Sequence, residues 1–140
     1  MKSRWLAGCI LLGACAAPAP MTQTVRPDSV EGPSLVGSRW VGVAASDADP
    51  RQLPRLEFVS AERVAGYTGC NMLSGTWSVQ GGEARLGPLV TTKRACIGPG
   101  GDVEKRVLAA LAGRMQREGD RLVFVAPDGA RYEFIPAQAS

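Results

Sequence analysis

Between Trp40 and Pro136 apolar residues recur at every second position in short runs, and glycine or proline turns close most of them. Alternation over four to eight residues is the pattern of half-buried strands. RWVGVAA (39–45) opens the series at Trp40. In RLEFVS (55–60), Leu56 and Phe58 share one face, and Arg55 and Glu57 take the other. RVAGYTG (63–69) follows a break at Ser60-Ala61-Glu62. GTWSVQGG (75–82) sets Trp77 and Val79 on one face and ends at Gly81-Gly82. EARLGPLVTT (83–92) turns Ala84 and Leu86 inward, and Gly87-Pro88 breaks the run. RLVFVAP (121–127) carries Leu122 and Phe124, Pro127-Asp128-Gly129 signals a turn, and RYEFIP (131–136) places Tyr132 and Phe134 together. One segment changes period. In DVEKRVLAALAG (102–113), Val103, Val107, Leu108 and Leu111 fall at helical spacing, Asp102 or Gly101 can cap the start, and Gly113 can close the end. The expected fold is β-rich α+β: an antiparallel meander curled into a partly open barrel, with one amphipathic helix over about 102–113. Aromatics are only 6% of the chain, so Trp40, Phe58, Trp77, Phe124 and Phe134 must anchor the core.

The segment before these runs reads differently. Lys2 and Arg4 precede an apolar stretch from Trp5 to Leu12, too short to span a bilayer permanently. That is the layout of a secretory signal peptide. Leu12-Gly13-Ala14-Cys15 resembles the bacterial lipobox, which implies a signal peptide over 1–14 and lipidation of Cys15. Several acyl chains hold a membrane far better than one. Ala16, rather than aspartate, follows the cysteine, and by the same resemblance this directs the protein to the outer membrane. The alternative is a soluble periplasmic protein cut elsewhere, since Ala14-Cys15-Ala16 also fits an ordinary cleavage site. Residues 15–34 are rich in proline and small polar residues and cannot build a core, so they are expected to form a flexible tether. The domain then spans 35–137.

Composition narrows the chemistry. A length of 140 residues implies one domain, and 45% apolar with 21% charged residues argues against wholesale disorder. Histidine is absent, which excludes Ser-His-Asp and Cys-His catalysis, HExxH zinc sites and any histidine base. The net charge is +3, and removing Lys2 and Arg4 leaves 14 basic residues against 13 acidic. Such a balance gives no electrostatic case for nucleic acid.

The centre of the domain reads Gly69-Cys70-Asn71-Met72-Leu73-Ser74-Gly75-Thr76-Trp77, and later Leu89-Val90-Thr91-Thr92-Lys93-Arg94-Ala95-Cys96, just before a helix that opens with acidic residues including Glu104. This pattern resembles the META domain, the family that includes the heat-shock-inducible bacterial lipoprotein HslJ. The likeness covers about 36–136 and rests on Gly69, Cys70, Asn71, Gly75, Trp77, Thr92 and Cys96. It implies a single non-enzymatic envelope module, in a family linked with heat shock, antibiotic tolerance and secretion-related virulence. It also implies a fold like that of secretion-system pilot lipoproteins.

The residues themselves point to structural roles. With Cys9 lost in the signal peptide and Cys15 acylated, Cys70 and Cys96 are the remaining thiols, and an oxidising compartment favours a disulfide. A redox or metal pair is the alternative, although no CxxC and no histidine co-ligand is present. Asn71 is expected in a turn, bonding local backbone, and Gly69 and Gly75 at a bulge or close backbone approach. Thr91 and Thr92 read as strand residues. Gly98-Pro99-Gly100-Gly101-Asp102 could hold an anion but lacks the Lys-Ser/Thr of a phosphate loop. Asp47-Ala48-Asp49 lacks the spaced ligands of a calcium loop. Lys93-Arg94 could lower the pKa of a free Cys96. The expectation is therefore no catalytic residue, no metal and no cofactor. Expected contacts are the membrane through the lipid anchor and an envelope protein of unknown identity, in a stress-related or interaction role. The alternative is a carrier of a lipid or small apolar ligand in a cavity between helix and sheet.

Overall fold

The computed structural model describes residues 35–43 and 48–138. The expected signal peptide (1–14), lipidation at Cys15 and tether (15–34), together with Asp47, lie outside the described residues. The strands are β1 (Arg39–Gly42), β2 (Arg55–Phe58), β3 (Arg63–Tyr67), β4 (Met72–Gln80), β5 (Glu83–Thr91), β6 (Arg114–Glu118), β7 (Arg121–Val125) and β8 (Arg131–Pro136), with one helix, α1 (Pro99–Leu111). All neighbouring pairs are antiparallel, and β8 returns to pair with β1. The sheet therefore closes in strand order rather than remaining partly open. Its weakest seam is β5–β6, where Ala84↔Met115 is the single paired position.

Local chemistry explains most elements. Gly81 and Gly82 both take positive φ, +60° and +82°, which a two-residue hairpin turn needs. Three elements depart from the expected boundaries. β5 continues through Gly87-Pro88, which bulge: the three steps from Leu86 to Leu89 oppose only two, from Trp77 to Gly75, on β4. A Cβ on Gly75 would lie 2.6 Å from the Pro88 carbonyl oxygen, so glycine is what lets the two strands approach there. α1 starts at Pro99 rather than Asp102, with Gly98 (φ +88°) as its N-cap, and it ends at Leu111. Proline suits this first helical position because its missing N–H has no partner to lose. β6, with the sequence RMQRE, follows the helix almost at once and is not legible from alternation.

Inside the barrel, Trp40, Leu56, Phe58, Val64, Leu73, Trp77, Ala84, Met115, Leu122, Phe124 and Phe134 form one buried cluster. All five expected aromatic anchors are in it. Phe58 meets Trp77 edge-on at 5.0 Å, and Phe124 meets Phe134 at 5.6 Å. Both buried indoles keep a partner: Trp40 Nε1 donates to Ser38 Oγ (2.7 Å) and Trp77 Nε1 to the Ser60 carbonyl (2.9 Å). Val107, Ala110 and Leu111 of α1 join the same cluster, with Val103 packed against it, whereas Leu108 is only half-buried. Each large side chain so buried contributes about 1.5–3 kcal/mol. α1 packs against the β3–β4 turn and faces the β1–β2 and β7–β8 connections across clefts, all at one end of the barrel, so it covers that mouth.

Candidate functional site

Most of the family-like residues converge where α1 enters this mouth. Gly69 and Cys70 form the turn between β3 and β4, closed by the Thr68 amide donating to the Asn71 carbonyl at 2.8 Å. Gly69 has φ +100°, and a Cβ there would meet the Gln52 carbonyl at 2.9 Å and Val103 at 3.0 Å. Glycine is thus required both by conformation and by the close approach of the helix. Cys70, 3% exposed, is bonded to Cys96 across a Cα separation of 6.0 Å, so the 92–98 segment is tied to the turn.

Asn71 is 5% exposed and uses all its hydrogen-bonding capacity. Oδ1 accepts from the Arg94 amide (2.7 Å) and the Thr92 hydroxyl (3.0 Å). Nδ2 donates to Glu104 Oε1 (3.0 Å) and to the Arg94 carbonyl (3.2 Å), with Cys70 Sγ also at 3.2 Å. The expectation that this side chain bonds local backbone is thereby corrected: its partners lie on the segment after β5 and on α1. The cause is the tight turn, which buries Asn71 at a three-element junction where a local bond would leave the Arg94 backbone without this partner and Glu104 with Thr68 alone. Thr68, fully buried, donates to Glu104 Oε1 at 2.8 Å and accepts the Asn71 amide at 2.8 Å. Hydrogen bonds to a carboxylate contribute about 1.5–3 kcal/mol each. The cluster clasps α1 to the barrel.

Of the residues singled out in the sequence, Cys70, Asn71, Thr92 and Cys96 meet here, and Gly69 shapes the turn. Gly75 and Trp77 do not: Gly75 lies opposite the β5 bulge and Trp77 lies in the core. Thr68 was not foreseen, although Thr-x-x-Asn is a signature of hydroxyl-to-backbone turns. Glu104 reads locally as a complement to the helix dipole, and its true partners are 33 and 36 positions away. Lys93-Arg94 has no thiol to activate, since Cys96 is bridged. Asp49 accepts the Arg51 amide at 2.9 Å and caps a short 3-10 turn. Among the described residues no group of three His, Cys, Asp or Glu side chains is placed to hold a metal.

Two clefts flank α1. One of about 700 Å³ lies between the helix and the Ala48–Pro54 segment, and one of about 480 Å³ lies between the helix and β8. They meet at Val43, Arg106 and Tyr132. Burial raises the pKa of the half-buried Tyr132, and the Arg106 charge opposes that rise.

The arrangement defines a class: a small antiparallel barrel closed at one mouth by a single helix, with the helix held by a disulfide-tied turn and a buried amide–carboxylate pair. The chain belongs to the META domain family, whose model matches residues 33–139. No curated protein matches the chain. Among solved structures, it is similar to a protein from Burkholderia xenovorans determined by NMR, at 23% identity and a TM-score of 0.62, covering 88% of this chain and 99% of that one. It is also similar to a DUF4847-family protein from Bacteroides vulgatus, at 13% identity and a TM-score of 0.52, covering 76% of this chain and 96% of that one. At these identities the likeness shows the fold alone.

Proposed function

We propose that this chain is a non-enzymatic envelope lipoprotein, anchored in the outer membrane through Cys15, whose META domain serves as an interaction module facing the periplasm. The observation that carries the reading is that the family residues at the junction, Cys70, Asn71, Thr92 and Cys96, are engaged with one another. Asn71 is saturated, both thiols are bridged, and Glu104 is held by Thr68 and Asn71. A site occupied in this way serves the fold and leaves binding to the surface. The basic-apolar leader with its lipobox-like Leu12-Gly13-Ala14-Cys15 supports the location, and the heat-shock associations of the family support a stress-related role. The test is cross-linking in intact cells, capture of the tagged lipoprotein and mass spectrometry of what accompanies it, with Cys15→Ala as the mislocalised control. One reproducible protein, lost in the control, is the expected result. No enriched protein would end this reading.

The cleft of about 700 Å³ beside α1 favours a second reading, carriage of a lipid or small apolar ligand. Val43, Leu53, Pro54, Val103 and Tyr132 give it an apolar bed, and Arg106 adds a cation. Native mass spectrometry of gently purified protein separates the two: co-purifying lipid supports carriage, and a consistently empty domain counts against it.

A further inference from the structure

The β5–β6 seam leaves part of β5 without a backbone neighbour. In an antiparallel ladder, backbone groups of successive residues point alternately to one flank and the other. The Thr92 amide donates to the Met72 carbonyl, so in the continuing register Val90 points its N–H and C=O at Ser74, while Thr91 and Leu89 point theirs away from β4. Beyond the bulge, the Trp77 amide donates to the Glu62 carbonyl, so its partner Leu86 also points its groups away from β4. Ala84 shares that orientation and meets Met115. Extending the register would bring Gly113 beside Leu86, but the Gly113 amide bonds the Ala110 carbonyl at the end of α1. β6 therefore cannot lengthen toward the mouth. Among the described residues, the outward backbone groups of Leu86, Leu89 and Thr91 have no backbone partner.

We infer that this free edge of β5 takes an extended, acidic peptide segment of another protein as an added strand. Unpaired N–H and C=O groups in a row are a template for an extended backbone. The flank is apolar, with Val90 70% and Met72 60% exposed on the outer face. The charge around it is basic: Lys93 and Arg94 are exposed at its upper end, and Arg85 and Arg114 face each other across the seam at its lower end. Glu83 is the acid beside them, and it pairs with Arg85 at 3.3 Å. A strand carrying carboxylates at its ends complements both the hydrogen bonds and the charge. This inference rests on the interaction-module reading and adds the surface and the class of partner.

The test uses the full chain, 15N-labelled, and a synthetic ten-residue peptide of alternating threonine and valine with glutamate at both ends. The expected result is amide shifts and slowed exchange at Leu86, Leu89 and Thr91, with binding about tenfold weaker when lysines replace the glutamates. Thr91→Pro removes an edge donor that the β4 ladder does not use, and it abolishes the effect. Val90→Glu leaves the backbone intact and weakens binding by repulsion, so a folding defect in the first variant does not decide the outcome. Shifts elsewhere, no shifts at millimolar peptide, or slow exchange of these amides in the peptide-free monomer would overturn the inference. Concentration-dependent self-association through the same amides would also overturn it, by giving the edge to a second copy. If the in-cell partner is captured equally well by Val90→Glu, the edge is wrong and the module reading stands. If no partner is captured at all, the module reading itself fails.

Discussion

At Asn71 an isosteric change separates shape from charge. Asn71→Asp keeps the side-chain volume but sets a second carboxylate against Glu104, where the amide nitrogen now lies 3.0 Å from Oε1. The variant is expected to lose about 3–5 kcal/mol at pH 7. Urea unfolding of the variant beside the parent chain measures the difference. Tyr132 offers a second single-residue test. Burial raises its pKa and Arg106 counters it, so Arg106→Ala raises it further, as an absorbance titration of the phenol records. The unfolded tyrosine ionises near pH ~10 while the folded one holds its proton, so its contribution to stability falls as pH rises through that range. The residue types of this junction are legible in the sequence, and their pairing is not. Asn71 in Gly69-Cys70-Asn71 reads as a turn residue, which it is, yet nothing local announces a carboxylate 33 positions on. Thr68, hidden in the run RVAGYTG, looks like one more strand residue.

Among the elements, α1 and β6 depend on a connection with no spare room. A Cβ on Gly113 would collide with the Val125 carbonyl, where the chain leaves the helix to pair with β7. Gly113→Ala is therefore expected to destabilise by about 3 kcal/mol or more through backbone displacement, whereas Gly129→Ala, with open space around it, costs about 1 kcal/mol for its positive φ. Thermal melts of the two variants check the order. The bridge between Cys70 and Cys96 closes a separation of 26 residues. Replacing both with serine should remove about 3.5 kcal/mol in the chain-entropy model, read as a shift of the denaturation midpoint. Alternation reveals β2, β4, β7 and β8 because one face of each is fully apolar. It misses β6, where Met115 is the one apolar residue of RMQRE and burial comes from its neighbours. It breaks β5 at Gly87-Pro88, because alternation reads the extra residue of a bulge as the end of a strand, whereas the pairing with β4 carries on past it. The helix boundary shifts for a similar reason: Gly98-Pro99 looks like a loop until the φ of Gly98 makes it a cap.

The whole molecule is a barrel whose closure by pairing is complete except at β5–β6, with the helix that interrupts that seam anchored at the β3–β4 turn. Core burial holds α1 through Val107, Ala110 and Leu111, and the clasp fixes its first turns through Glu104. Barrel and helix should therefore unfold together, with the polar junction acting as part of the global stability rather than as a reactive centre. A double-mutant cycle on Asn71→Ala and Glu104→Ala, followed by equilibrium denaturation, measures this directly. A coupling free energy of about 1.5–3 kcal/mol is expected, because each side chain serves the other in a buried site. Effects that add to within about 0.5 kcal/mol would contradict it and separate these residues from the fold's stability.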